Sequence, residues 1–237
     1  MPDIARFHTP AAVAEALADQ TVRALRHVLD GEPRATLCLT GGSTPEPAYR
    51  RLAGAELPWD RIHLFWTDER CVAPDDPRSN FGMARRALIG PAGVPDSNVH
   101  RFQGELGGTD AAAEMERELE AFFGADGMHL DVLHLGMGAD GHIASLFPGS
   151  DALDEHERRA VSTTAPPSMD VPDRVTLTYP VLNAARTTFL AATGEAKREA
   201  LSAVLAPGSS LPAARFRPAG SFTLLLDQAL ADGLGAG

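Results

Sequence analysis

One short segment carries residue types at a spacing suited to moving protons. In Gly136-Met137-Gly138-Ala139-Asp140-Gly141-His142, a carboxylate and an imidazole stand two residues apart in a glycine-rich stretch. In an extended or tightly turned segment such residues point the same way and can share a pocket. An imidazole takes a proton from water near neutral pH, and a neighbouring carboxylate fixes its tautomer and stabilises the imidazolium that forms. His142 is therefore a candidate general base and Asp140 its partner. The segment also spells G-x-G-x-x-G, but Pro148 and Gly149 interrupt any long helix after it, and no acidic strand end follows ~20 residues on, so the dinucleotide reading fails. A metal reading would join His134 to Asp140 and His142, but no compact three-ligand set is evident. No metal and no cofactor is expected.

Other segments offer positive charge and free amides. Leu39-Thr40-Gly41-Gly42-Ser43-Thr44-Pro45 runs from an apolar strand through two glycines into a helix start. Glycines let the backbone approach a ligand, and the amides and dipole of a helix start favour an anion. Pro45 and Pro47 lack an N–H, so Gly41, Gly42, Ser43 and Thr44 are the candidate donors, with Glu46 beside them. No Gly-Lys-Ser/Thr follows, which excludes a nucleotide P-loop. Thr67-Asp68-Glu69-Arg70 follows a second strand; Asp68 and Arg70 belong to a solvated ion-pair cluster or to a site in which Arg70 serves a phosphate or a developing oxyanion. Backbone amides around Gly136 and Gly138 are the other oxyanion candidates. Lys197 is the single lysine among 21 basic residues, and a compact point charge suits a phosphate where a planar fork does not. Ser145 lies in no G-x-S-x-G and reads as structural.

These residues need elements to position them. Ile4–Phe7, Ala35–Thr40, Ile62–Thr67, Leu130–Leu135, Val175–Thr178 and Thr188–Ala192 read as strands, with Val99–Phe102 extended. Helices are expected from Thr9 and Pro10 toward Leu29 with Gly31 just past the end, then over Ser43–Ala53, Phe81–Ile89, Thr109–Phe123 (capped by Thr109 or Asp110), Glu195–Leu205 and Leu226–Ala231. A polar loop is expected through Asn80, and 151–159 reads as loop. Strands separated by helical patterns indicate an α/β domain, a Rossmann-like, doubly wound, mostly parallel sheet with helices on both faces. Ligands of such sheets bind beyond the carboxyl ends of the strands, where the chemical segments fall.

Composition bounds the rest. The 237 residues, 44% hydrophobic and 22% charged, suit one globular α/β domain over 1–237 without disulfide staples. A net charge of −11 argues against nucleic acid and anionic membrane as partners. Cys38 and Cys71 have neither disulfide density nor CxxC spacing, no apolar run spans a bilayer, and MPDIARFHTP shows no signal pattern, so a reducing cytoplasm is the expected compartment. The oligomeric state is left open, a monomer included.

Taken together, LTGGSTP, WTDER, GMGADGHIASLFPGS, DRVTLTYPVLNAAR and ATGEAKREAL resemble the 6-phosphogluconolactonase family, in order and over nearly the whole chain. The resemblance implies the fold of glucosamine-6-phosphate deaminase and hydrolysis of a small sugar-phosphate lactone, 6-phospho-D-glucono-1,5-lactone, to 6-phospho-D-gluconate, in the oxidative pentose phosphate pathway and without a cofactor. It casts His142 as base and Asp140 as its partner. The 41–44 loop, Arg174 and Lys197 become phosphate anchors, and Arg70 a substrate-site cation. Cys71 and Gly82 depart from the family's usual residues. A sugar-phosphate isomerase/deaminase of the same fold carries a glutamate five residues after the histidine, where this chain has Phe147. A non-catalytic sugar-phosphate sensor, the third reading, would carry an added DNA-binding helix-turn-helix.

Overall fold

In the computed structural model, which describes residues 2–124, 127–232 and 234, the apolar runs of the sequence become strands of two sheets. In chain order the strands are β1 (Asp3–Phe7), β2 (Ala35–Leu39), β3 (Ile62–Trp66), β4 (Asp68–Arg70), β5 (Val132–Leu135), β6 (Ala160–Thr164), β7 (Asp173–Leu177), β8 (Thr187–Ala192) and β9 (Ser221–Asp227). The helices are α1 (Pro10–Gly31), α2 (Glu46–Ala53), α3 (Asn80–Ala84), α4 (Gly108–Phe123), α5 (Tyr179–Asn183), α6 (Arg198–Leu205), α7 (Pro212–Arg215) and α8 (Gln228–Ala231), with short 3-10 and π turns between them.

Six strands form a parallel sheet in the order β1-β9-β8-β5-β2-β3. β2 and β5 are buried along their whole length, as strands covered on both faces must be. Phe65 and Trp66, adjacent on β3, point to opposite faces: Phe65 meets Phe122 and Phe123 of α4, and Trp66 meets Phe81 of α3. Helices therefore lie on both faces, as expected of a doubly wound domain. The chain winds one way from β2 to β3 and the other way from β5 through β8 to β9. The order reverses between β2 and β5, and a crevice opens beyond their carboxyl ends.

The second sheet is a correction to the sequence reading. β4, β7 and β6 pair antiparallel in the order β4-β7-β6. β4 opens the segment read as polar loop, and β6 follows the 151–159 stretch directly. Thr67 joins the two sheets: its N–H donates to Leu39 O at 2.8 Å, and its carbonyl accepts from Leu177 N at 2.8 Å. The strand expected over Val175–Thr178 is β7 of this sheet.

Several helix ends also move. α2 starts at Glu46, because Ser43–Pro45 stay in the turn that leaves β2. Gly31 is the last residue of α1 rather than the one beyond it; Glu32, already extended, closes the helix through an N–H to Val28 O. α4 begins at Gly108 with no side-chain cap from Thr109 or Asp110. Leu226 belongs to β9, and the expected terminal helix shrinks to the single turn α8, capped by Asp227 accepting from Leu230 N at 3.2 Å. Among the described residues no helix is long and apolar enough to cross a membrane.

Candidate active site

β5 delivers the chain at Leu135 into a turn that folds back on itself. Gly138 N–H donates to His142 O at 2.9 Å, and Gly141 N–H donates to Gly138 O at 3.1 Å. Only glycine fits at 138, since a Cβ there would lie 2.2 Å from the His142 ring. The fold-back brings Asp140 under the imidazole: His142 Nδ1–H donates to Asp140 Oδ1 at 2.5 Å, and the His142 N–H reaches the same oxygen at 3.2 Å. Burial pushes the Asp140 carboxyl up, but the His142 hydrogen bond and charge outweigh it and hold it below its ordinary value. A proton held on Nδ1 leaves the neutral ring's lone pair on Nε2. Phe147 packs against the same ring, centroids 4.7 Å apart, and Ala144 beside it adopts a left-handed φ of 49°, backbone strain of a kind that clusters at working sites.

His142 borders a cavity of about 270 Å³ at the sheet's switch point. Gly41, Gly42, Ser43, Thr44, Asp68, Arg70, Gly138, Arg174 and Lys197 line it with His142; Asp140 stands behind the imidazole and does not. The two arginines come from the small sheet, where Arg70 of β4 pairs in register with Arg174 of β7. Arg174 is 6% exposed, and its Nε–H donates to Val171 O at 2.8 Å. Burial and the neighbouring Arg70 charge lower its pKa from the ordinary value. Arg70 donates from Nη1 to Arg78 O, while among the described residues its buried Nε has no partner. Lys197 ends the 3-10 turn Glu195–Lys197 after β8; it is half-buried, and burial lowers its pKa against the opposing pull of Asp227.

Asp68 and Glu69 are buried rather than solvated, and among the described residues neither they nor the half-buried Arg70 form an ion pair. Asp68 accepts from Thr67 Oγ1 at 2.9 Å and from Ser145 Oγ at 2.6 Å, which gives Ser145 its structural part. Glu69, 3% exposed, accepts from the N–H groups of Arg70, Asn80 and Phe81 and from Ser79 Oγ, so it clamps the loop that returns to α3. Asn80 is the residue that sequence reasoning missed. Its amide donates to Asp68 O at 2.9 Å, and its side chain presses so closely on Gly41 that a Cβ there would lie 1.9 Å from Oδ1. Met169, in the loop between β6 and β7, also lines the cavity unannounced. Gly138 corrects the oxyanion expectation: its N–H is taken by His142 O.

Among the described residues no three His, Cys, Asp or Glu side chains converge as a metal centre. His134 lies in β5, fully buried, and its Nε2–H donates to Thr21 Oγ1 at 2.7 Å, because that hydroxyl donates onward to Leu17 O. Burial lowers its pKa to about 3, and it stays a neutral core residue.

Residues 8–225 match the family described as glucosamine-6-phosphate isomerases/6-phosphogluconolactonase. The chain belongs to the glucosamine-6-phosphate isomerase/6-phosphogluconolactonase family. Within it, the 6-phosphogluconolactonase of a Nostoc species is 40% identical over 227 residues, covering 92% of each chain. That of Rattus norvegicus is 37% identical and covers 96% of this chain and 92% of its own. The solved 6-phosphogluconolactonase of Trypanosoma brucei superposes with a TM-score of 0.89 at 28% identity, over 99% of both chains. A monomeric glucosamine-6-phosphate deaminase, 21% identical, shares the fold with a TM-score of 0.79 over 97% of this chain and 99% of its own. Both branches of the isomerase/lactonase family therefore share the architecture, and residues of the site must separate them.

Proposed function

We propose that the chain is a 6-phosphogluconolactonase that hydrolyses 6-phospho-D-glucono-1,5-lactone to 6-phospho-D-gluconate, the hydrolytic step of the oxidative pentose phosphate pathway. The observation that carries this reading is the Asp140–His142 pair at the edge of a cavity lined by three cations. His142 Nε2 takes a proton from water as the water oxygen attacks C1, contributing about 10²–10⁴-fold. Asp140 holds the tautomer and stabilises the imidazolium. Arg70, with an unsatisfied Nε, faces the charge that develops on the C1 oxygen. The C1–O5 bond then breaks, and the proton passes from His142 to the leaving ring oxygen. The 41–44 loop, Arg174 and Lys197 grip the 6-phosphate, and this remote binding holds C1 against the water.

Phe147 favours hydrolysis over the isomerase/deaminase alternative. A phenyl group 4.7 Å from the His142 ring cannot shuttle the protons of sugar-ring opening, which the family's glutamate at that place does. The test is direct. Added to freshly generated lactone, the protein accelerates its decay well above the spontaneous rate and leaves glucosamine 6-phosphate untouched. Lactone decay at the spontaneous rate would sink the proposal.

A further inference from the structure

The catalytic turn is held from behind by a segment remote in sequence. Ala213 N–H, at the start of α7, donates to Gly141 O at 2.9 Å. Gly141 is the residue between Asp140 and His142. The Leu211 side chain of the same segment also presses so closely that a Cβ on Gly141 would lie 3.0 Å from Leu211 Cδ1. The segment itself is pinned where it touches the turn. Tyr179 Oη, from the first residue of α5, donates to Pro212 O at 2.7 Å inside the protein, and Tyr179 is 4% exposed. Arg215 lies over the Tyr179 ring at 5.6 Å and ties α7 to Leu153 O and to Asp154 Oδ1, at 2.8 and 2.7 Å.

We propose that Tyr179 and Leu211 are positioning residues for the reaction, setting the Asp140–His142 geometry through Gly141. Neither lines the cavity with the cations, so neither holds substrate. Their effect runs through one peptide carbonyl and one packed methyl group. The Nδ1–Oδ1 contact is short, and a turn that shifts by a fraction of an ångström lengthens it. Looser contact with Asp140 frees the imidazole's tautomer and mis-sets its aim at the water. Such misplacement, arising away from the chemistry, costs up to ~10²-fold. The proposal rests on the reading of His142 as general base.

The experiment compares Tyr179→Phe and Leu211→Ala with wild type and with His142→Asn, using 6-phosphogluconolactone. Tyr179→Phe keeps the ring and removes only the hydroxyl; Leu211 is half-buried, so its truncation carries the test if the tyrosine variant fails to fold. Each variant is expected to lose about tenfold in kcat with KM unchanged. The downfield proton resonance of His142 Nδ1 shifts upfield or broadens. Wild-type kcat and resonance in both variants, with His142→Asn impaired, would overturn the positioning role and leave the base intact. A raised KM at unchanged kcat would overturn it too. Wild-type turnover by His142→Asn removes the base itself, and the positioning role with it.

Discussion

Arg70 and Arg174 face each other in register across the antiparallel pair of β4 and β7, and among the described residues neither guanidinium has a carboxylate partner. Like charges opposite one another on a sheet destabilise it. A fold keeps such a pair when something anionic settles between the two, and their shared cavity also holds the 41–44 loop and Lys197. Asp68 and Glu69 offset part of the repulsion that Arg70 exerts on Arg174, and a phosphate or an oxyanion bound in the cavity would offset the rest.

Arg174→Met should separate stability from binding. KM for the phosphorylated lactone rises about tenfold or more, because a charge-assisted contact is lost, while kcat falls little. The melting temperature stays level or rises, since Arg70 loses its like-charged neighbour. Steady-state kinetics and a thermal melt on one preparation check this. A lower melting temperature with unchanged KM would make Arg174 a structural residue.

Gly138→Ala should mimic loss of the base without touching it. The added methyl would lie 2.2 Å from the His142 ring and drives the imidazole off Asp140. The expected result is a fall in kcat of about 10²-fold with a folded protein by circular dichroism. Near wild-type turnover would mean that the ring geometry is not what matters.

How much of this was legible in the sequence follows from how local each feature is. The Asp-Gly-His turn and the Gly-Gly-Ser-Thr loop are contiguous, so spacing alone placed them on strand ends. Lys197 stood out by composition and does reach the cavity. The small sheet was not legible, because β4 has three residues, too few for an alternation, and β6 is a half-exposed Ala-Val-Ser-Thr-Thr. β9 failed for another reason: Leu224, Leu225 and Leu226 are followed, after Asp227 alone, by Gln-Ala-Leu-Ala, and a short apolar run does not distinguish strand from helix. The Arg70–Arg174 pairing and the Asn80–Gly41 contact join segments far apart in the chain, and no local pattern announces them.

Lys197 offers a test that uses its solitude. An amine-reactive reagent modifies only Lys197 and the N-terminal amine. Labelling weakens substrate binding, and 6-phosphogluconate protects against it. Lys197→Arg raises KM clearly, and Lys197→Met raises it further. Burial lowers the lysine's pKa, so its ammonium loses the proton earlier than an ordinary lysine as pH rises. Affinity for 6-phosphogluconate should accordingly fall with rising pH before the usual lysine range is reached. Normal binding by fully labelled protein would end the anchor role.

Sustained chelation should leave the rate unchanged, because an imidazole base with a carboxylate partner activates water without a Lewis acid. The measurement is lactone decay after prolonged dialysis against EDTA. Activity lost to the chelator and restored by zinc would mean that His142 is a ligand.

The most direct measurement of the central claim is the turnover of His142→Asn on freshly generated 6-phosphogluconolactone, beside wild type and the spontaneous reaction. The variant should keep its KM and lose about 10²-fold or more in kcat, with Asp140→Asn impaired to a smaller degree. His142→Asn turning over the lactone at close to the wild-type rate would contradict the account.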